Sequence, residues 1–414
     1  MTTQKTIVTV VLIACTNFVF GQTSYRDKEW TLENVELKNY DLIGKAIGDS
    51  RIVMLGEQDH GDGETFKKKT DLIRYLVETK GFSVIAFESD FFALNKVWEK
   101  NLPIEDKVNL VNSQLHGIWS RSNEFLPLMN YISQSVQSGL ELTLTGFDSQ
   151  HHSKYTKETY ITYIKSLMQN NAIAFDEKFF EILTRFIKQG FNYKPQTTEI
   201  EIFNTTIDNI VNKLSSSGEN SETEFWLQEL RSLKGDFSEV LQGQSEGLSI
   251  MNKRDLQMAK NLEYLAKYKF RDKKIIVWAA NYHIAKNPGK VSWSKQWNPQ
   301  KDSLITMGDV VGQNLGKEIY SIAFICGHGF YTNWAENSEA IPILAPLKTK
   351  NSLEKVLYET NNNECFIDFH STNISAPFLM AGHGHYPKLG QWDKVFDGVF
   401  FIREMTPSTY KKDK

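Results

Sequence analysis

Two acids and two histidines in this chain have the types and spacing needed to activate a water. Glu57 and His60 lie three residues apart in Gly56-Glu57-Gln58-Asp59-His60-Gly61, a sharp turn marked by glycine at 56, 61 and 63. That spacing lets the carboxylate fix the imidazole's tautomer, as a general base requires. Glu88 adds a second carboxylate, able to orient the ring or a water, and His283 a second imidazole, able to protonate a departing alkoxide or polarise a carbonyl oxygen. Arg254 opens the helix-like run to Asn261 and carries a fixed charge suited to an oxyanion. Taken singly, each has a plainer explanation: loop acids cap helices, strand-end histidines are often satisfied structural groups, and Arg254-Asp255 reads as a surface pair. Their joint occurrence at successive strand ends favours a site.

The elements that must position them are short apolar runs. RIVMLG precedes Glu57, SVIAF precedes Glu88, LTLTGF precedes Asp148, IIVWAAN precedes Tyr282-His283, and SIAFICG precedes His328. As parallel strands of one sheet, they would bring these groups to a single rim, because ligands sit outside the carboxyl ends of strands. A helix is expected near Gly63 to Lys80, with Phe66, Leu72, Ile73, Leu76 and Val77 on one face. This alternation of strand and helix predicts an α/β fold with a parallel sheet covered by helices. From about residue 155 to 269 the pattern turns helical, with polar breaks at Ser215 to Asn220 and Gly243 to Gly247, which reads as an insertion between strands. Strand-like runs return at Lys274 to Trp278, Tyr320 to Cys326, Cys365 to Phe369 and Gly398 to Arg403, so residues 22–414 are read as one composite domain.

A formal net charge of -3, and the absence of a basic stripe interleaved with aromatics, argue against a nucleic-acid partner. Residues 1–21, with Lys5 ahead of an apolar run ending at Gly21, read as a signal peptide, which predicts export to the periplasm or outside the cell. Leu12-Ile13-Ala14-Cys15 also fits a lipoprotein box that would lipidate Cys15. The apolar residues that follow it favour cleavage near Gly21, and beyond such an anchor no membrane contact is expected. Cys326 and Cys365 remain in the mature chain and read as buried free thiols rather than a disulfide. Without a G-x-S-x-G elbow or a cysteine signature, water is the expected attacker. Glu57, His60, Glu88, Asp148, His151 and His283 are all metal-ligand types, and His151-His152 adds a pair, but H-E-x-x-H is absent and no metal or cofactor is assigned. His328, His383 and His385 occupy glycine-rich segments and read as exposed loop residues outside the site.

Leu55-Gly56-Glu57-Gln58-Asp59-His60-Gly61, then Gly81-Phe82 leading to Ala86-Phe87-Glu88-Ser89-Asp90, resembles the opening signature of the erythromycin esterase family. Gly146-Phe147-Asp148, Arg254-Asp255 through Asn261, Trp278 through His283, Met307-Gly308 and Phe396-Asp397-Gly398 follow in the family's order. The resemblance implies a three-layer α/β/α fold with a helical portion and, in macrolide-resistance members, metal-independent opening of a lactone by water. It implies His60 as general base, Glu57 and Glu88 as the carboxylates that position base and water, His283 as the second essential histidine, and Arg254 as the arginine of the helix motif. The family's cation after the histidine falls on Lys67, Lys68 or Lys69, and the pattern does not choose among them. The export signal separates this chain from enzymes acting on a cytoplasmic drug, so the expected partner is a small-molecule ester or lactone, not necessarily a macrolide. Two other readings stay open. One is an exported heme-type binding protein using Phe91, Phe92, Trp98 or Trp119; the other is a metal-dependent hydrolase.

Overall fold

The computed structural model describes residues 33–34, 40–218, 220–242, 248–292, 304–333, 339–372, 374 and 376–410. The expected signal peptide, Cys15 and the break at 243–247 lie outside these residues. The main sheet contains β1 (Glu33–Asn34), β2 (Ile52–Leu55), β3 (Val84–Asp90), β4 (Thr143–Asp148), β5 (Ile275–Trp278), β6 (Ile319–Thr332), β7 (Ala340–Ile343), β8 (Glu364–Asp368) and β11 (Gly398–Met405). Its order is β1-β8-β11-β6-β2-β5-β3-β4, with β7 paired to β6. From β11 to β4 every pairing along this path is parallel, whereas β8 is antiparallel to both β11 and β1. β9 (Phe378–Met380) and β10 (Lys388–Gly390) form a separate antiparallel pair.

β2, β3 and β5 are buried along their whole length. The apolar β2, β5 and Val84–Phe87 part of β3 belong to a parallel sheet covered on both faces, and β3 continues past its expected end at Glu88 to Asp90. The chain steps from β2 outward to β3 and β4, returns to insert β5 between β2 and β3, and then crosses to β6 on the far side of β2. The strand order therefore reverses around β2 and β5, where an open α/β sheet leaves a crevice at its carboxyl ends.

The helix Gly63–Lys80 buries Phe66, Leu72, Ile73, Leu76 and Val77 as its periodicity predicts, and Gly81 closes it in the left-handed conformation at φ 73°. Between β4 and β5 lie the helices Lys154–Asn170, Glu177–Gln189, Thr197–Ser215, Ser221–Gln242 and Leu248–Tyr264. Their apolar faces meet through Phe186, Phe203 and Phe237, the last two stacked with centroids 3.8 Å apart. Arg254 sits inside the last of these helices rather than opening it, because the helix begins at Leu248. β6 also runs past its expected end. Gly327 and Gly329 sit within the strand, so His328 packs edge-on against Tyr358 instead of ending a strand at the rim. Cys326 and Cys365 are buried free thiols. Among the described residues no helix is long and apolar enough to cross a membrane.

Candidate active site

The turn leaving β2 is built by close packing. A Cβ on Gly56 would lie 1.9 Å from the Asn281 side-chain oxygen, and one on Gly61 would lie 1.8 Å from the Thr332 carbonyl oxygen. Neither glycine has positive φ, so what each position excludes is a side chain. Asn281, just past β5, ties the turn after β2 to the middle of β6: its backbone N–H donates to the Glu57 carbonyl at 2.8 Å, and its amide exchanges hydrogen bonds with the Phe324 backbone at 2.8 and 3.2 Å.

Held this way, Glu57 is fully buried and receives three donors. Oε1 accepts from His60 Nδ1 at 2.8 Å and from Trp119 Nε1 at 3.0 Å, and Oε2 accepts from Lys69 Nζ at 2.8 Å. Lys69 is itself fully buried, 3.8 Å above the centre of the Trp278 ring. Burial pushes its ammonium down to about 8, against the opposing pull of Glu57. Of the three adjacent lysines, Lys69 is the one paired with Glu57, whereas Lys67 reaches Glu64 and Lys68 reaches Glu64 and Glu364. His60 keeps a quarter of its side chain exposed. Burial disfavours its charged form, but Glu57, Glu88 and Asp59 outweigh that penalty and raise it above the ordinary histidine value.

A second set of contacts adjoins the first through Glu88. The pairing of β3 with β4 shifts register between Phe87 and Asp90, a bulge that changes where the side chains beyond Phe87 are aimed. Glu88 Oε1 meets His283 Nε2 at 3.1 Å and Arg254 Nη2 at 3.0 Å, while Oε2 accepts from the Ala280 N–H at 3.2 Å. Asp90 caps the next helix through the Ala93 N–H at 2.9 Å and accepts from Thr156 Oγ1 at 2.6 Å. His283 Nδ1 lies 2.9 and 3.0 Å from the two oxygens of Asp255. Its own burial opposes charge, but Asp255 and Glu88 together push it up to about 10. Arg254 grips Asp148 through two nitrogens, at 3.1 and 2.7 Å. Burial opposes ionisation of both acids, yet His283 and Arg254 hold Glu88 far below the usual carboxylate range, and Arg254 and His116 do the same for Asp148. His116 Nε2 lies 3.4 Å from Asp148 and its Nδ1 lies 3.2 Å from His152.

The structure therefore brings Glu57, His60, Glu88, Arg254, His283 and Asp148 to one rim. The charges of Glu88 act on both imidazoles, which are far apart in the chain. Arg254 and Asp255 are not a surface pair: Asp255 is fully buried and turns to His283, while Arg254 reaches the sheet. His151 is elsewhere, buried between Asp236 at 2.9 Å and Glu229 at 2.6 Å, where it joins the β4 exit to the helix Ser221–Gln242. Phe91, Phe92 and Trp119 are fully buried core residues rather than the lining of an open cleft. His385 is also buried, with Nε2 3.0 Å from Asp62, and His383 is half-buried, so neither is an exposed loop residue. Sequence reasoning passed over His116 and Asp255 as site groups, and named Lys69 only as one of three candidate cations. For Lys69 a signal existed, since it falls three residues after Phe66 and four before Ile73 on the apolar helix face. Among the described residues no three His, Cys, Asp or Glu side chains are grouped to hold a metal ion.

Comparison with known proteins agrees with this architecture. YbfO of Bacillus subtilis (strain 168), provisionally named a hydrolase, is 25% identical over 421 residues, covering 92% of this chain and 89% of its own. A succinoglycan biosynthesis protein of known structure superposes with a TM-score of 0.75 at 18% identity, over 92% of this chain and 96% of its own. A mutant of the erythromycin esterase EreC in its open conformation gives a TM-score of 0.67 at 15% identity, over 91% and 96%. These two structures bear on the fold alone. The erythromycin esterase family model matches residues 77–405, beginning downstream of the Glu57–His60 turn. The chain belongs to the erythromycin esterase family.

Proposed function

We propose that this protein is a hydrolase that cleaves a carboxylic ester, lactones included, with a water activated by His60. The observation that carries this reading is the 2.8 Å contact between Glu57 and His60 Nδ1. With Nδ1 donating to Glu57, the tautomer puts the basic lone pair on Nε2. There it takes a proton from water as the water oxygen bonds to the acyl carbon. Collapse of the tetrahedral intermediate breaks the acyl C–O bond, and the departing alkoxide takes up a proton. His283, held as an imidazolium by Asp255 and Glu88, offers positive charge to the oxyanion or a proton to the leaving oxygen. Arg254 orients Glu88 and Asp148 and, through Glu88, His283. The reading includes export, supported by the pattern of residues 1–21.

The test is mass spectrometry of macrolides and simpler lactones and esters incubated with purified protein. A gain of one water identifies a lactone substrate, and conversion of the parent into an acid and an alcohol identifies an acyclic ester. His60→Gln should then lower the rate by roughly 100- to 10,000-fold, as loss of a general base does, with an unchanged melting temperature. Wild-type turnover by that variant would rule out the mechanism.

A further inference from the structure

The loop 381–386 is fastened to the turn that carries His60. Gln58 donates its side-chain amide to the Ala381 and Gly384 carbonyls, and the Gly384 N–H returns a bond to the Gln58 carbonyl at 3.3 Å. His385 bonds Asp62 at 3.0 Å, and the Ala381 N–H donates to Glu354 at 2.6 Å. Gln58 and Asp62 each stand two residues from His60, so turn and loop form one packed unit. Between these anchors His383 packs on Tyr282, with ring centroids 5.0 Å apart, and Tyr282 in turn lies edge-on to His283 at 5.1 Å. We infer that His383 is a substrate-contacting residue of this site, donating an imidazole N–H to the acyl oxygen of the bound ester.

Charge supplies the physical reason. His283 is already cationic, and His60 becomes so when it takes the water's proton, so a third imidazolium would oppose the proton transfer. Burial, reinforced by Lys388, His283 and His60, pushes His383 down to about 3. A neutral ring donates a hydrogen bond without adding that repulsion.

The inference rests on the ester-hydrolase reading, and the test separates the two. Hydrolysis of 4-nitrophenyl acetate is measured for wild type, His383→Leu and His383→Gln, alongside thermal melting. His383→Leu should lose roughly 100-fold in kcat/KM, the scale of a lost oxyanion donor, with an unchanged melting temperature. His383→Gln, which keeps an N–H donor, should recover part of the loss. Full activity in His383→Leu would overturn the role of His383 and leave the hydrolase reading standing. Equal losses in both variants together with lower melting temperatures would make His383 a structural prop and also overturn it. A wild type inert toward this ester and toward the lactones would overturn the hydrolase reading and this inference with it.

Discussion

In the proposed reaction His60 is a base whose strength is set by its neighbours. Glu57, Glu88 and Asp59 favour its charged form more than burial opposes it, so it holds its proton to higher pH than a free histidine. Because a base must be neutral to act, kcat/KM should climb with pH through a midpoint above the unperturbed value of about 6.5. A pH–rate profile with its acid limb at or below that value would contradict this assignment. Lys69 works one step behind, holding the other oxygen of Glu57. Both side chains are fully buried, so Lys69→Ala leaves an uncompensated carboxylate and should cost about 3–5 kcal/mol in urea unfolding. Glu57→Gln combined with Lys69→Ala should cost less than the sum of the single changes, because the pair is then removed as a unit.

At the scale of elements, strand ends and turns translate sequence into geometry. The β3 bulge lets Glu88 meet Arg254 and His283 while Asp90, two residues on, caps a helix. Gly61 seats the turn that carries His60 against the end of β6, where its carbonyl accepts the Thr332 N–H at 3.1 Å. A methyl group at Gly61 would collide with rigid backbone, so Gly61→Ala should destabilise the protein by about 1–3 kcal/mol and lower activity by displacing His60. Chemical denaturation combined with the lactone assay checks both effects. A fully active and stable Gly61→Ala protein would show that the turn tolerates movement.

Across the whole molecule, the site is a charge cluster assembled from distant segments. The four acids Glu57, Glu88, Asp148 and Asp255 face the three cations Lys69, Arg254 and His283. In the proposed reaction a proton taken up by His60 places positive charge among these acids, which favours that transfer inside a protein interior. The same cluster links stability to pH. His283 has a folded value of about 10 against about 6.5 in the unfolded chain, so its stabilisation is complete below about 6.5 and is lost as pH rises through about 10. Lys69, lowered by burial, acts in the opposite sense at alkaline pH. Comparison of urea midpoints for wild type and His283→Gln isolates the histidine: their difference should shrink between pH 6.5 and 10. A gap that stays constant over that range would show that His283 is not held charged.

Local pattern was enough to place Glu57 and His283 beyond the apolar strands β2 and β5 and Glu88 after the apolar stretch of β3, which runs on to Asp90, because the first polar residues after a buried apolar run mark the rim. It also made the helix Gly63–Lys80 and the helical stretch after β4 legible, since periodicity is a property of neighbouring residues. Only the tertiary structure decided that Lys69 pairs with Glu57, that Asp255 holds His283, that His151 belongs to the insertion's packing, and that His383 lies beside the site. These partners come from segments that meet through the strand order and the packing of loops between sheet strands. That order is chosen by burial of the whole core, which no local spacing records.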